Sequence, residues 1–183
     1  MAATPLRERT RHEILQQAMN LFAEKGYDAT SLQDIATAAG CSKATVLYHF
    51  NGKPAVLAAV LEPPAGTVAA LVAEAALLPP AEAQQRAITG FTELAVRFRG
   101  LISLLNDVMP TIGQMPEFDG MVAAGEDLAR LLAGTDDPRE VGLAGYAIHG
   151  LLGECRAPVQ RTDDDLRVLC VTAMRRLLIA PPA

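Results

Sequence analysis

Tryptophan is absent from this 183-residue chain, and aromatic residues make up only 4% of it. Half of the chain is hydrophobic, much of that share Ala and Leu, a mixture that favours helices over sheets. Cysteine is scarce as well. Cys41, Cys155 and Cys170 are odd in number, far apart and without a CxxC pair. They offer neither a disulfide framework nor a zinc site, which makes a reducing cytosol the expected setting and leaves thiol sensing open. No uncharged apolar run reaches about 18 residues, since Glu74 interrupts the stretch from Val68 to Leu78. The opening MAATPLRERTRHE lacks the apolar core of a signal peptide, so the expectation is a cytoplasmic protein with no membrane partner. The three histidines stand at 12, 49 and 149, and neither HExxH nor a Gly-rich phosphate loop occurs. No metal, cofactor or catalytic residue is expected.

What is present is an uneven charge. The net charge of −5 hides a head, residues 1–60, in which Arg7, Arg9, Arg11, Lys25, Lys43 and Lys53 face five acids. The remainder carries ten arginines against sixteen acids, and all three lysines lie in the first third. An acidic body under a mildly basic head suits a protein that offers one face to phosphate.

Ile14, Leu15, Ala18, Leu21 and Phe22 recur at helical spacing and predict a helix from about Thr10 to Lys25, stopped by Gly26. Ser31-Leu32-Gln33-Asp34 reads as a capping box opening a second helix, with Leu32, Ile35, Ala36 and Ala39 inward and Gly40 at its end. Ser42 caps a third, from Lys43 to about Phe50. Two short helices joined by so tight a glycine turn make a helix-turn-helix with the second helix turned outward. Beyond Pro54, Pro and Gly punctuate longer helices. Glu62-Pro63-Pro64 predicts an early break, with a second piece from Pro64 to Leu77. Further helices are expected from Pro79-Pro80 to about Arg99, Pro116 to Leu132, Pro138 to Arg156, and from the acids after Thr162 to the end. Pro110 and Pro158 read as further breaks.

The stretch from Arg11 to Leu57 carries Leu21-Phe22-Ala23-Glu24-Lys25-Gly26-Tyr27, Thr30-Ser31-Leu32-Gln33-Asp34-Ile35-Ala36, Ala39-Gly40-Cys41-Ser42-Lys43-Ala44-Thr45 and Tyr48-His49-Phe50, then Lys53 and Leu57. In this combination it resembles the TetR family of bacterial repressors. The resemblance implies an all-α protein: a three-helix DNA-binding domain over residues 1–53, then a larger ligand-binding and dimerisation domain over 54–183. It implies a third helix in the major groove of double-stranded DNA, with Lys43, Ala44, Thr45 and Tyr48 at base edges. Ser31, Ser42, His49 and Lys53 would hold phosphates. One departure stands out: the family usually has Tyr where this chain has Leu47, and that phosphate contact is lost.

A single head covers too little DNA for specificity, so a homodimer reading a near-palindrome is expected. Gly142, Gly145, Gly150 and Gly153 crowd one helix, where each costs about 1 kcal/mol relative to Ala. The missing side chains would let another helix approach, and the family builds its dimer from the last two helices. Close packing within one subunit is the alternative. The body is expected to hold an apolar cavity for a small-molecule effector, lined by Phe91, Leu94, Phe98, Leu105, Met109, Met115, Phe118, Met121, Tyr146 and His149, with Asp107, Arg97 and Glu126 as polar partners. Pro54 to Leu61 would act as the lever from body to head. A ligand-released repressor is the reading that results; a DNA-binding activator, or a helical enzyme or carrier without a DNA role, are its alternatives.

Overall fold

The computed structural model describes the whole chain except residues 1–2, 102–103, 106–107, 110–111, 157–160 and 180–183. The expected breaks at Pro110 and Pro158, and the side chain of Asp107, lie outside the described residues. Two compact units form. The first comprises residues 1–63 with 103–119, the second 64–102 with 120–183.

In the first unit, α1 spans Ala3–Lys25, starting well before the expected Thr10. Thr10 lies inside the helix, its hydroxyl donating to the Leu6 carbonyl one turn back, and Pro5 falls in the first turn, where no helical N–H is required. Ile14, Ala18 and Phe22 are fully buried along one stripe. Gly26 closes the helix at φ 84°, in the left-handed region. α2 spans Leu32–Ala38 and opens on the expected capping box: Ser31 Oγ accepts from the Asp34 amide at 3.1 Å, and Asp34 accepts from the Ser31 amide at 2.9 Å. At its other end Cys41 N–H reaches the Ala36 carbonyl and Gly40 N–H the Thr37 carbonyl, with Gly40 at φ 64°. This Schellman closure turns the chain within three residues into α3, Lys43–His49. Leu104, Val108, Ile112 and Phe118 add buried apolar groups to the unit.

α4 runs unbroken over Lys53–Ala75, so the break expected at Glu62-Pro63-Pro64 does not occur. The two prolines remove two helical N–H groups. Yet Leu57, Val60, Leu61, Pro64, Val68, Leu71 and Ala75 keep helical spacing through them, each buried or half-buried. A continuous packed stripe outweighs the local preference. Among the described residues α4 alone is long and apolar enough to cross a bilayer by length and composition.

In the second unit, α5 (Pro80–Arg97), α7 (Pro138–Arg156) and α8 (Asp163–Leu178) pack together, and α6 spans Asp119–Ala133. α6 opens later than expected, because Pro116–Phe118 forms a 3-10 turn ahead of it. α5 is central: Ala87, Ile88, Phe91, Leu94, Ala95 and Val96 are all buried. Around it lie Leu128 and Leu132 of α6, Ala144, Ala147 and Leu151 of α7, and the stripe Leu166, Cys170, Met174 and Leu178 of α8. Gln84 ties two helix ends, its amide donating to the carbonyls of Leu132 (2.9 Å) and Leu178 (3.2 Å). Asp137 and Thr162 cap α7 and α8 through the amides of Arg139 and Asp165.

Candidate nucleic-acid interface

α3 has seven residues and two sides. Val46 and Phe50 are buried and fasten it to the head. At about 100° per residue, Lys43, Leu47, Ala44 and Tyr48 follow one another around the opposite arc, and all four are exposed. Leu47 stands in the middle of that arc, 49% exposed, with Tyr48 at 69%. Sequence reasoning counted Leu47 only as a missing phosphate ligand. Its methyl groups occupy the presented face, where an apolar side chain suits a thymine methyl. Thr45 and His49 follow Tyr48 at one side of the arc, half-buried. Ser42 caps the helix, its oxygen accepting from the Thr45 amide at 3.0 Å and sharing a hydrogen bond with the Thr45 hydroxyl.

Two residues missed by sequence reasoning border this face. Arg7 and Arg11, one turn apart on α1, place their guanidinium groups 5.3 Å from the Tyr48 ring centre and 4.5 Å from that of Phe50. The rings of Tyr48 and His49 meet edge-to-face at 5.2 Å. Burial holds the His49 imidazole below its usual pKa, and the charges of Arg7 and Arg11 lower it further. The i, i+4 spacing of the arginines was visible, but only an α1 that begins at Ala3 sets them on one helical face.

Lys53 is engaged within the head. Its Nζ donates to the carbonyls of Tyr27 (2.9 Å) and Asp28 (3.3 Å) and lies 4.3 Å from the Tyr27 ring centre. Ser31 likewise gives its hydroxyl proton to Asp34, at 2.6 Å. That bond and the one from the Ser31 amide hold the Asp34 carboxyl below the usual carboxylate pKa.

The residues expected around an effector are divided: Leu105, Met109, Met115 and Phe118 belong to the first unit, the other six to the second. Phe118 is buried, Leu105 and Met115 half-buried, and Met109 exposed. In the second unit Phe91 and Leu94 are core, Phe98 packs against it under the Arg97 guanidinium, and Met121 is half-buried. Tyr146 is 80% exposed, while His149 faces solvent and bonds through Nδ1 to the Gly145 carbonyl. Glu126 pairs with Arg130 instead. The second unit does hold an open groove of about 470 Å³, lined by Val72, Ala75, Ala76, Leu78, Pro80, Ala83 and Leu131 together with Asp127, Arg130 and Asp136. None of the ten expected residues lines it.

α7 presents its glycines to open space. Among the described residues, a methyl group built on Gly142, Gly145, Gly150 or Gly153 meets nothing within 4 Å. Among the described residues, none packs closely against these glycines. Leu143 and Tyr146 of α7, and Val168, Leu169 and Leu177 of α8, are exposed large apolar residues on the same two helices.

Residues 14–60 match the family described as "Bacterial regulatory proteins, tetR family". Over 44 residues the chain is 46% identical to the biofilm operon icaADBC HTH-type negative transcriptional regulator IcaR of Staphylococcus aureus (strain Newman), 24% of either chain. The match thus spans about a quarter of that relative's length. Among solved structures, the ketosteroid transcriptional regulator KstR2 of Mycobacterium tuberculosis superposes with a TM-score of 0.69 at 17% identity, covering 93% of this chain and 95% of that one. The TetR family transcriptional regulator PfmR of Thermus thermophilus gives 0.65 at 20% identity, covering 88% and 97%. The head is a TetR-family N-terminal domain with its helix-turn-helix, and the chain folds as TetR-family regulators do.

Proposed function

We propose that this chain is a cytoplasmic transcription repressor that binds a palindromic operator as a homodimer and is released from it by a small apolar or amphipathic molecule. The observation that carries this reading is the sidedness of α3: Val46 and Phe50 anchor it, and Lys43, Leu47, Ala44 and Tyr48 are left to meet base edges. Lys43 donates to guanine O6 and N7, while Ala44 and Leu47 meet thymine methyls. Arg7, Arg11 and His49 supply the phosphate contacts beside that face, with Ser42 and Thr45 at the helix start. Lys53 supports the connector that carries α2 and keeps one ammonium hydrogen for a phosphate. The staphylococcal relatives that match the head are negative regulators, which favours repression.

The open glycine face of α7 and the exposed apolar residues of α8 form the dimer surface in this reading. For the effector, the open groove of about 470 Å³, with Arg130 among its lining residues, is the candidate site in this reading. α4 contributes residues to both units, so a ligand that favours one arrangement of α4 acts on the head by its difference in affinity between the two states. The test is a mobility shift on duplex DNA from upstream of the chain's own gene. Binding that is saturable, dimeric and steeply weakened by salt supports the proposal; no shift at low ionic strength refutes it.

A further inference from the structure

Leu47 is half exposed at the centre of the presented arc of α3, on a helix whose other side is sealed by Val46 and Phe50. It lies one turn beyond Lys43 and only about 40° round from it, so the two share one side of the helix. Ala44, also exposed, adjoins Leu47 on the side toward Tyr48. The polar groups beside this patch are already engaged. The Thr45 hydroxyl shares a hydrogen bond of 2.9 Å with Ser42, and the Arg7 guanidinium lies 5.3 Å from the centre of the Tyr48 ring. The face therefore offers one ammonium beside a small cluster of methyl groups. We propose that Leu47 makes this face a reader of the pyrimidine 5-methyl group: beside a guanine taken by Lys43, it accepts thymine or 5-methylcytosine and rejects unmethylated cytosine.

This rests on the DNA-binding reading above and names the base chemistry that its recognition face selects. A leucine side chain neither donates nor accepts a hydrogen bond. In the major groove it is blind to the difference between thymine O4, an acceptor, and the N4 amine of cytosine, a donor. What it meets is the group on C5, which is a methyl in thymine and 5-methylcytosine and a hydrogen in cytosine and uracil. Covering that methyl takes apolar surface out of water on both partners, an effect of about fourfold in affinity per half-site. Lys43 supplies the other half of the readout, donating to guanine O6 and N7. A pair of 5-methylcytosine with guanine shows the methyl and both guanine acceptors along one groove edge. Thymine is met together with those acceptors only where a G·C pair adjoins it. Methylation of a cytosine at this step therefore turns a poor site into a good one.

The test starts from a duplex that the full wild-type chain enriches from a random pool, with affinities read by fluorescence anisotropy at one salt concentration. Each thymine is replaced in turn by deoxyuridine, which deletes a methyl and leaves the base pairing unchanged. One thymine in each half-site is expected to cost the wild type about fourfold and Leu47→Ala less than about 1.5-fold. At that position a G·C pair carrying 5-methylcytosine is expected to bind at least about threefold more tightly than its unmethylated form, again in the wild type alone. Leu47 is exposed and alanine is the better helix former, so the variant keeps its fold, which circular dichroism checks. The proposal is overturned if no deoxyuridine costs the wild type more than the variant, or if methylated and unmethylated cytosine bind alike, while the wild type still holds its selected duplex. Failure of the wild type to bind any duplex removes the DNA-binding reading itself, and the proposal with it.

Discussion

Lys53 holds the Tyr27 carbonyl at 2.9 Å while its ammonium lies 4.3 Å from the ring of that same tyrosine. The lysine that opens α4 is thereby fastened to the connector between α1 and α2, whose own Thr30 is buried with its hydroxyl on the Gly26 carbonyl. Lys53→Ala is expected to destabilise the head by about 1 kcal/mol, after discounting a charged hydrogen bond and a cation–π contact for partial exposure. Hydrogen exchange over residues 26–31 reads it: faster exchange in the variant is the predicted outcome. Unchanged exchange with weaker DNA binding would assign Lys53 to phosphate alone.

Arg7 and Lys43 are expected to fail differently. Arg7→Ala weakens binding to all duplexes alike and reduces the slope of log affinity against log salt by about one. Lys43→Ala relaxes base preference at one position of each half-site, with a loss of about 1–3 kcal/mol on the best site. Salt titrations on specific and scrambled duplexes separate the two.

His49 gives the interface a pH dependence. Its imidazole, depressed by burial and by Arg7 and Arg11, is neutral in the free protein at pH values where an ordinary histidine begins to protonate. A phosphate beside it raises its pKa, so binding takes up a proton and affinity rises as pH falls from about 7.5 to about 6. For folding the sign is opposite. The unfolded chain binds the proton first, so the stability His49 contributes is present above the unfolded pKa and is lost as pH falls toward the folded one. His49→Gln is expected to abolish the gain in affinity at low pH, measured by anisotropy across the range.

Tyr146→Glu and Leu169→Glu place charge on the exposed apolar surface of α7 and α8. Both are expected to leave the fold unchanged and to shift the chain from dimer to monomer in analytical ultracentrifugation, with loss of palindrome binding. A dimer that survives both changes would move the interface elsewhere.

The head was legible because its signals are local. Ser31 with Asp34, Ser42, and the glycines at 26 and 40 each specify a cap or a left-handed residue within four positions, and each is found as expected. What sequence reasoning missed depends on packing or on distant partners. Pro63-Pro64 reads as a break until the stripe from Leu57 to Ala75 continues through it. Lys53 reads as a free charge until Tyr27, twenty-six residues earlier, accepts from it. The effector residues were chosen by side-chain type, and type does not distinguish a core phenylalanine such as Phe91 from a cavity wall.

The most direct trial of the account is selection of bound sequences from a random duplex pool by the purified chain, run beside Lys43→Ala. The account predicts enrichment of an inverted repeat by the wild type, with half-sites about one helical turn apart, and degeneracy at one base of each half-site in the variant. Failure of the wild type to enrich any sequence at low ionic strength, or an identical repeat from both proteins, would contradict it.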